Sequence, residues 1–155
     1  MSKRWLLALI LAPALIAGCS LPGSVNETLD NVNNSLSYVN EATTYINDAT
    51  QFSQQLPDLA QQALTSKDSL AQLESELIGM QADIKAFNEL SAPAFAEGVD
   101  AKLEQYNAEL NTQITKLLDT VQAGQLTVES LEQSQIGQTV SQISSILEQV
   151  QQLGN

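Results

Sequence analysis

From Val25 onward, apolar or β-branched residues recur at alternating intervals of four and three: Val25, Leu29, Val32, Leu36, Val39, Thr43, Ile46 and Thr50. A stripe of that period keeps one face of an α-helix turned towards a neighbour, so the spacing predicts a first helix of about 26 residues, ~39 Å long. Ser24-Val25-Asn26-Glu27 has the form of a capping box, in which the serine and the glutamate three positions on satisfy each other's backbone N–H groups. A break is expected between Phe52 and Pro57, with a new helix opening on Pro57-Asp58-Leu59-Ala60, because proline and an acidic residue suit a first turn. Thr65-Ser66-Lys67-Asp68-Ser69 either interrupts or kinks that second helix.

Leu70, Leu73, Leu77, Met80, Ile84 and Phe87 form the next stripe, weakened by Gly79 and closed by Leu90-Ser91-Ala92-Pro93, since the residue before a proline is driven out of the helical region. A third helix is predicted from about Phe95 to Val121 on Val99, Leu103, Tyr106, Leu110, Ile114, Leu117 and Val121, a spacing that contains a stutter, with Gly124 as its C-terminal cap. Thr127 can cap a short turn, and a last helix carries Ile136, Val140, Ile143, Leu147 and Val150. Strict alternation by two never persists, so no strand is expected. Residues 25–155 therefore read as one all-α domain, an elongated antiparallel bundle of about four helices with coiled-coil-like packing.

The first eighteen residues carry a different pattern. Lys3 and Arg4 precede an uncharged run from Trp5 to Ala17, interrupted by Pro13 and too short to span a bilayer stably. The run ends in Ile16-Ala17-Gly18-Cys19, which resembles the lipobox of bacterial lipoproteins. That resemblance implies cleavage after residue 18, a diacylglyceryl group on the Cys19 thiol and membrane lipid as a partner through that group. Residues 19–24 would be the lipidated N-terminus and a short spacer. Cys19 is the chain's single cysteine, so no intrachain disulfide competes for it. Ser20 comes next, where an aspartate would resemble the inner-membrane retention signal of two-membrane bacteria.

Charge narrows the partners. Without residues 1–18 the chain keeps four lysines (Lys67, Lys85, Lys102, Lys116) against all 18 acidic residues, a formal net charge of −14. Such a surface repels phosphate, which excludes nucleic acid as a partner. The sequence has no histidine, which removes Ser-His-Asp, Cys-His and zinc-histidine chemistry. Neither a phosphate-binding glycine loop nor a calcium loop is present, and Glu74 and Glu76, two apart, do not face each other on a helix. The expectation is a protein that is not an enzyme and needs no cofactor.

Two periodic features are candidates for partner contact. Asn26, Asn33, Asn40 and Asn47 recur every seven residues beside the first apolar stripe, as a hydrogen-bonding or partner-facing row or as a plain polar flank. Tyr38 and Tyr45, also seven apart, share what reads as an outer face, where rigid amphipathic rings could anchor a partner, shield the bundle edge or lie against the helix formed near Leu56 to Leu64.

The runs Val32 to Asn47 (VNNSLSYVNEATTYIN), Leu59-Ala60-Gln61-Gln62-Ala63 and Ile84 to Pro93 (IKAFNELSAP) resemble a family of small uncharacterised lipoproteins from Bacillus-like bacteria. The resemblance implies a one-membrane host, with the domain on the outer face of the cytoplasmic membrane; a two-membrane host would permit the outer membrane. It brings no activity and no catalytic residue. The favoured expectation is a membrane-tethered helical module with a non-catalytic binding or spacer role towards an envelope protein. The alternative is a carrier or sensor of a small apolar or peptide ligand between the helices, lined by Met80, Phe87 and Tyr106.

Overall fold

The structure, a computed structural model, describes residues 24–154, with side chains described from residue 35 onward. The expected signal segment, Cys19 and the side chains of the Ser24–Glu27 capping box lie outside the described residues. Six helical segments succeed one another: α1 (Ser24–Ala63), α2 (Lys67–Asn88), α3 (Glu97–Gln122), α4 (Val128–Gln133), α5 (Ile136–Ser144) and α6 (Leu147–Gln152).

Helix α1 is longer than its first stripe predicts. Its buried face is carried by Tyr38, Ala42, Tyr45, Ala49, Phe52, Leu56, Ala60 and Ala63, with Val39 and Ile46 beside them. These positions keep the alternation of four and three as far as Leu56, where a second four leads to Ala60, and they lie one position before the expected stripe. The face is wide because α1 has α2 on one side and α5 and α6 on the other. Thr43 and Thr50 are consequently half-buried at its margin, and Leu36 is 48% exposed.

The predicted break between Phe52 and Pro57 does not occur, since α1 runs through Pro57 to Ala63. Proline in a helix interior removes one backbone hydrogen bond and crowds the preceding turn, at a cost of ~3 kcal/mol. Here Pro57 is exposed, while Phe52, Leu56 and Ala60 around it are buried. Their packing holds the helix together across the defect. The chain breaks instead at Leu64–Ser66, where the Ser66 side chain accepts a hydrogen bond from the Ser69 N–H at 3.4 Å and caps α2.

In α3 the interior stripe from Leu103 onward is Leu103, Asn107, Leu110, Ile114, Leu117 and Val121, with Gln113 buried beside it. Replacing the expected Tyr106 by Asn107 makes the spacing a regular heptad from Leu103, and Tyr106 is only half-buried. The helix ends in a Schellman motif. Gly124, at φ +67°, donates to the Val121 carbonyl, and the Gln125 N–H donates to the Thr120 carbonyl, both at 3.0 Å. Thr127 and Ser130 form a reciprocal capping box that starts α4. The last predicted helix is divided. Gln135, in the left-handed region at φ 58°, separates α4 from α5, and a tight turn at Ser145–Ile146 separates α5 from α6.

Segments α4 to α6 together make the fourth column of an up-down-up-down bundle. Helix α1 packs on α2, α2 on α3, α3 on α5, and α5 back on α1, which closes the ring and leaves α1 and α3 on the diagonal. The antiparallel sense of neighbours is read from their contacts. Gln81 reaches Asn111 and Gln122 reaches Glu74 between α2 and α3. Thr50 meets Ser144 between α1 and α5, and Lys102 meets Gln149 between α3 and α6. The core is a single apolar column containing Ile46, Leu73, Leu77, Leu103, Leu110, Ile114 and Ile143, each fully buried. Each such side chain contributes about 1.5–3 kcal/mol by leaving water.

Candidate functional site

The most structured polar feature lies inside the bundle, where the two tyrosines meet α3. The Tyr45 hydroxyl donates to Asn107 Oδ1, and Asn107 Nδ2 donates to Asn88 Oδ1 at 2.8 Å. One heptad earlier the Tyr38 hydroxyl donates to Asp100 Oδ1 at 2.8 Å. Phe87 completes the layer, stacked on Tyr45 with ring centroids 4.6 Å apart and tilted against Tyr38 at 6.3 Å.

Tyr38 and Tyr45 are 2% and 6% exposed, which corrects the expectation of an outward-facing pair. The cause is the second apolar seam of α1, which turns that face inward against α2. Burial pushes both phenols well above their usual range. The hydrogen bond to Asp100, with the charges of Asp100 and Glu104, adds to the effect at Tyr38, and the charge of Asp83 adds to it at Tyr45.

Directly outside this layer, α1 and α2 bound a groove of about 430 Å³. Its floor is formed by the edges of Tyr45 and Phe87 with Ala86 and Leu90, and its rim by Asn40, Glu41, Thr44, Asp48 and Asp83. Partial burial, and then the charge of Asp48, raise the Asp83 carboxyl above the ordinary carboxylate range. The groove thus brings Asn40 and Tyr45 together. Asn40 and Asn47 are both exposed, so within the bundle this part of the row makes no interhelical ladder, and the Asn33 side chain lies outside the described residues.

Sequence reasoning missed Asp100 and Asn107 because both are polar residues at interior register positions of α3. Their seven-residue separation, matching that of the two tyrosines, is the signal that could have found them. Asp48 and Asp83 gave no comparable signal, because they belong to different helices.

A larger groove of about 700 Å³ lies between the far end of α1 and the α4–α5 segment, lined among others by Leu56, Pro57, Leu64, Val128, Leu131 and Ile136. Met80 and Phe87, expected as ligand-lining residues, are both buried in the core, and Phe87 also shows an edge to the groove over Tyr45. Gln113 is buried, with its Nε2 bonded to Thr139 Oγ1 at 2.9 Å and its Oε1 without a partner. Among the described residues, no group of three or more His, Cys, Asp or Glu side chains could hold a metal ion, and no helix is long and apolar enough to cross a membrane.

These features define a closed, all-helical bundle with a buried aromatic and polar layer and acidic grooves on its surface. The chain belongs to the Family of unknown function (DUF6376), which matches residues 38–153, from the first bundle tyrosine to the end of the fourth column. It is similar to the uncharacterized lipoprotein YybP of Bacillus subtilis (strain 168), 30% identical over 101 residues that cover 65% of this chain and 68% of that protein. The resemblance to uncharacterised lipoproteins of Bacillus-like bacteria is thereby established. No solved structure matches the chain.

Proposed function

We propose that the protein is a lipid-tethered extracytoplasmic module of a bacterial envelope that binds or spaces other envelope components without catalysis. The observation that carries this reading is the single helix α1, 40 residues long, which begins at Ser24, just after the lipobox-like Ile16-Ala17-Gly18-Cys19, and forms one wall of the bundle. At 1.5 Å per residue it spans about 60 Å, enough to hold a contact surface well clear of the bilayer. Two acyl chains on Cys19 would anchor it durably, since each buried methylene contributes ~0.8 kcal/mol. The name of the B. subtilis relative, a lipoprotein, supports the same tether. The acidic, histidine-free composition supports the non-catalytic part.

Fractionation and in-cell crosslinking of the native protein beside a Cys19→Ala variant test the reading. Membrane association lost with Cys19→Ala, together with a protein crosslinked only by the tethered form, is the expected result. Retention of the variant on the membrane would overturn the tether. Copurification of a lipid or peptide in place of a protein partner would favour the carrier alternative, for which the 700 Å³ groove supplies a place.

A further inference from the structure

The groove over Tyr45 and Phe87 is apolar along its floor and carries carboxylates on both walls, Glu41 and Asp48 from α1 and Asp83 from α2. None of its nine lining residues is basic. The nearby Lys85 is engaged with Glu89 at 3.8 Å. The floor is also preformed. Phe87 is stacked on Tyr45, and the Tyr45 hydroxyl is fixed by Asn107, so little ordering remains to oppose binding.

We propose that this groove docks an arginine side chain presented by a peptide segment of another envelope protein, which rests on the binding-module reading and gives that partner a chemistry. The aliphatic stem of arginine matches the floor of Phe87, Ala86 and Leu90, as long cationic side chains lay their methylenes on apolar surface. Its planar guanidinium carries five donors and can bond carboxylates on two walls at once, which the compact ammonium of lysine does less well. A cation placed there also offsets the repulsion of Asp48, which adds to partial burial in raising the Asp83 carboxyl of the free protein. The volume suits one such side chain and its flanking backbone.

The test uses the mature lipidated protein in phosphatidylcholine nanodiscs, labelled with meta-fluorotyrosine. The probes are acetyl-Ala-Arg-Ala-amide and the same peptide with uncharged citrulline in place of arginine. The expected result is a saturable shift of the Tyr45 fluorine resonance with the arginine peptide and binding about tenfold weaker with citrulline, the scale of a lost charge-assisted hydrogen bond. The Asp48→Asn/Asp83→Asn variant should lose a similar factor, while Glu74→Gln/Glu76→Gln, which removes equal charge elsewhere on α2, should bind as the native protein does. Ala86→Arg, which supplies the groove with an arginine of its own, should block the peptide while circular dichroism shows the bundle intact.

Equal binding of both peptides, equal loss in the two double variants, or no saturable shift would overturn the inference. So would a crosslinked envelope partner retained in full by Asp48→Asn/Asp83→Asn, which would leave the module reading standing and move its dock elsewhere. Failure of the Cys19→Ala comparison, by contrast, would strike the module reading while leaving the peptide titration interpretable.

Discussion

The hydroxyl of Tyr45 donates to the buried amide of Asn107 across the diagonal of the bundle, and the same sequence separation of 62 residues joins Tyr38 to Asp100. Helices α1 and α3 do not pack directly against each other along their length. Two tyrosines reaching through the interior set their relative height. A shift of one residue in either helix would separate both pairs at once, so the pairs act as a register key of the kind that polar interior residues provide in coiled coils.

Tyr45→Phe should therefore destabilise the protein by about 1–3 kcal/mol, because it leaves Asn107 Oδ1 buried without its donor. The double variant Tyr45→Phe/Asn107→Leu should recover most of that loss, with the register less tightly specified. Urea denaturation of the four members of the cycle measures the coupling, and additive losses would show that the bond does not link the two helices energetically.

Alkaline pH should act through the same layer. The folded-state values of Tyr38 and Tyr45 lie above those of free phenols, so above pH ~10 the folded chain holds protons that the unfolded chain releases. Stability from these groups is complete below that point and falls as pH rises through and beyond it. Loss of helical ellipticity should accompany the appearance of tyrosinate absorbance from these two residues. Ionisation with the helices unchanged would contradict their placement.

Asp83 carries the opposite consequence for acid. Its folded-state value is raised, so its charge opposes folding at neutral pH, and that penalty fades as pH falls through the folded value towards the ordinary carboxylate range. Asp83→Asn should have a melting temperature equal to or above that of the native protein at pH 7, and the difference should vanish near pH ~3, where both chains are uncharged at this position. A lower melting temperature at pH 7 would mean that the carboxylate has a stabilising partner.

Two glycines should respond in opposite directions to the same substitution. Gly79 is exposed within α2, and an added Cβ meets nothing within 4 Å, so Gly79→Ala should stabilise by about 0.4–1 kcal/mol. Gly124 also has room, but its φ of +67° is the left-handed conformation of the Schellman turn, so Gly124→Ala should destabilise by about 1 kcal/mol. Thermal melts of the two variants give the comparison directly.

The helical class and the four columns were legible in the sequence because each column repeats its apolar positions for several turns. Boundaries depended on which residue faced inward. Tyr106 and Asn107 are adjacent, and hydropathy favours the tyrosine, whereas Asn107 takes the interior place because Tyr45 and Asn88 satisfy its amide there. Pro57 reads as a break only while its neighbours are unknown. Once Phe52, Leu56 and Ala60 around it are buried, continuing the helix is favoured over ending it. The inward turn of Tyr38 and Tyr45 was hidden because α1 has two seams, and a single stripe reveals one. The groove was not legible, since its walls belong to helices that meet only after folding.

That uninterrupted first helix has a mechanical consequence. A chain bent at Pro57 would leave the far end of α1 free to swing on its own, whereas a continuous rod moves as one lever with the bundle fixed along it. A tilt of about 20° at the first turn would carry Ala63 sideways by roughly 20 Å, given a helix some 60 Å long. Any force or contact at the distal end is thus delivered, magnified in leverage, to the few residues at its foot.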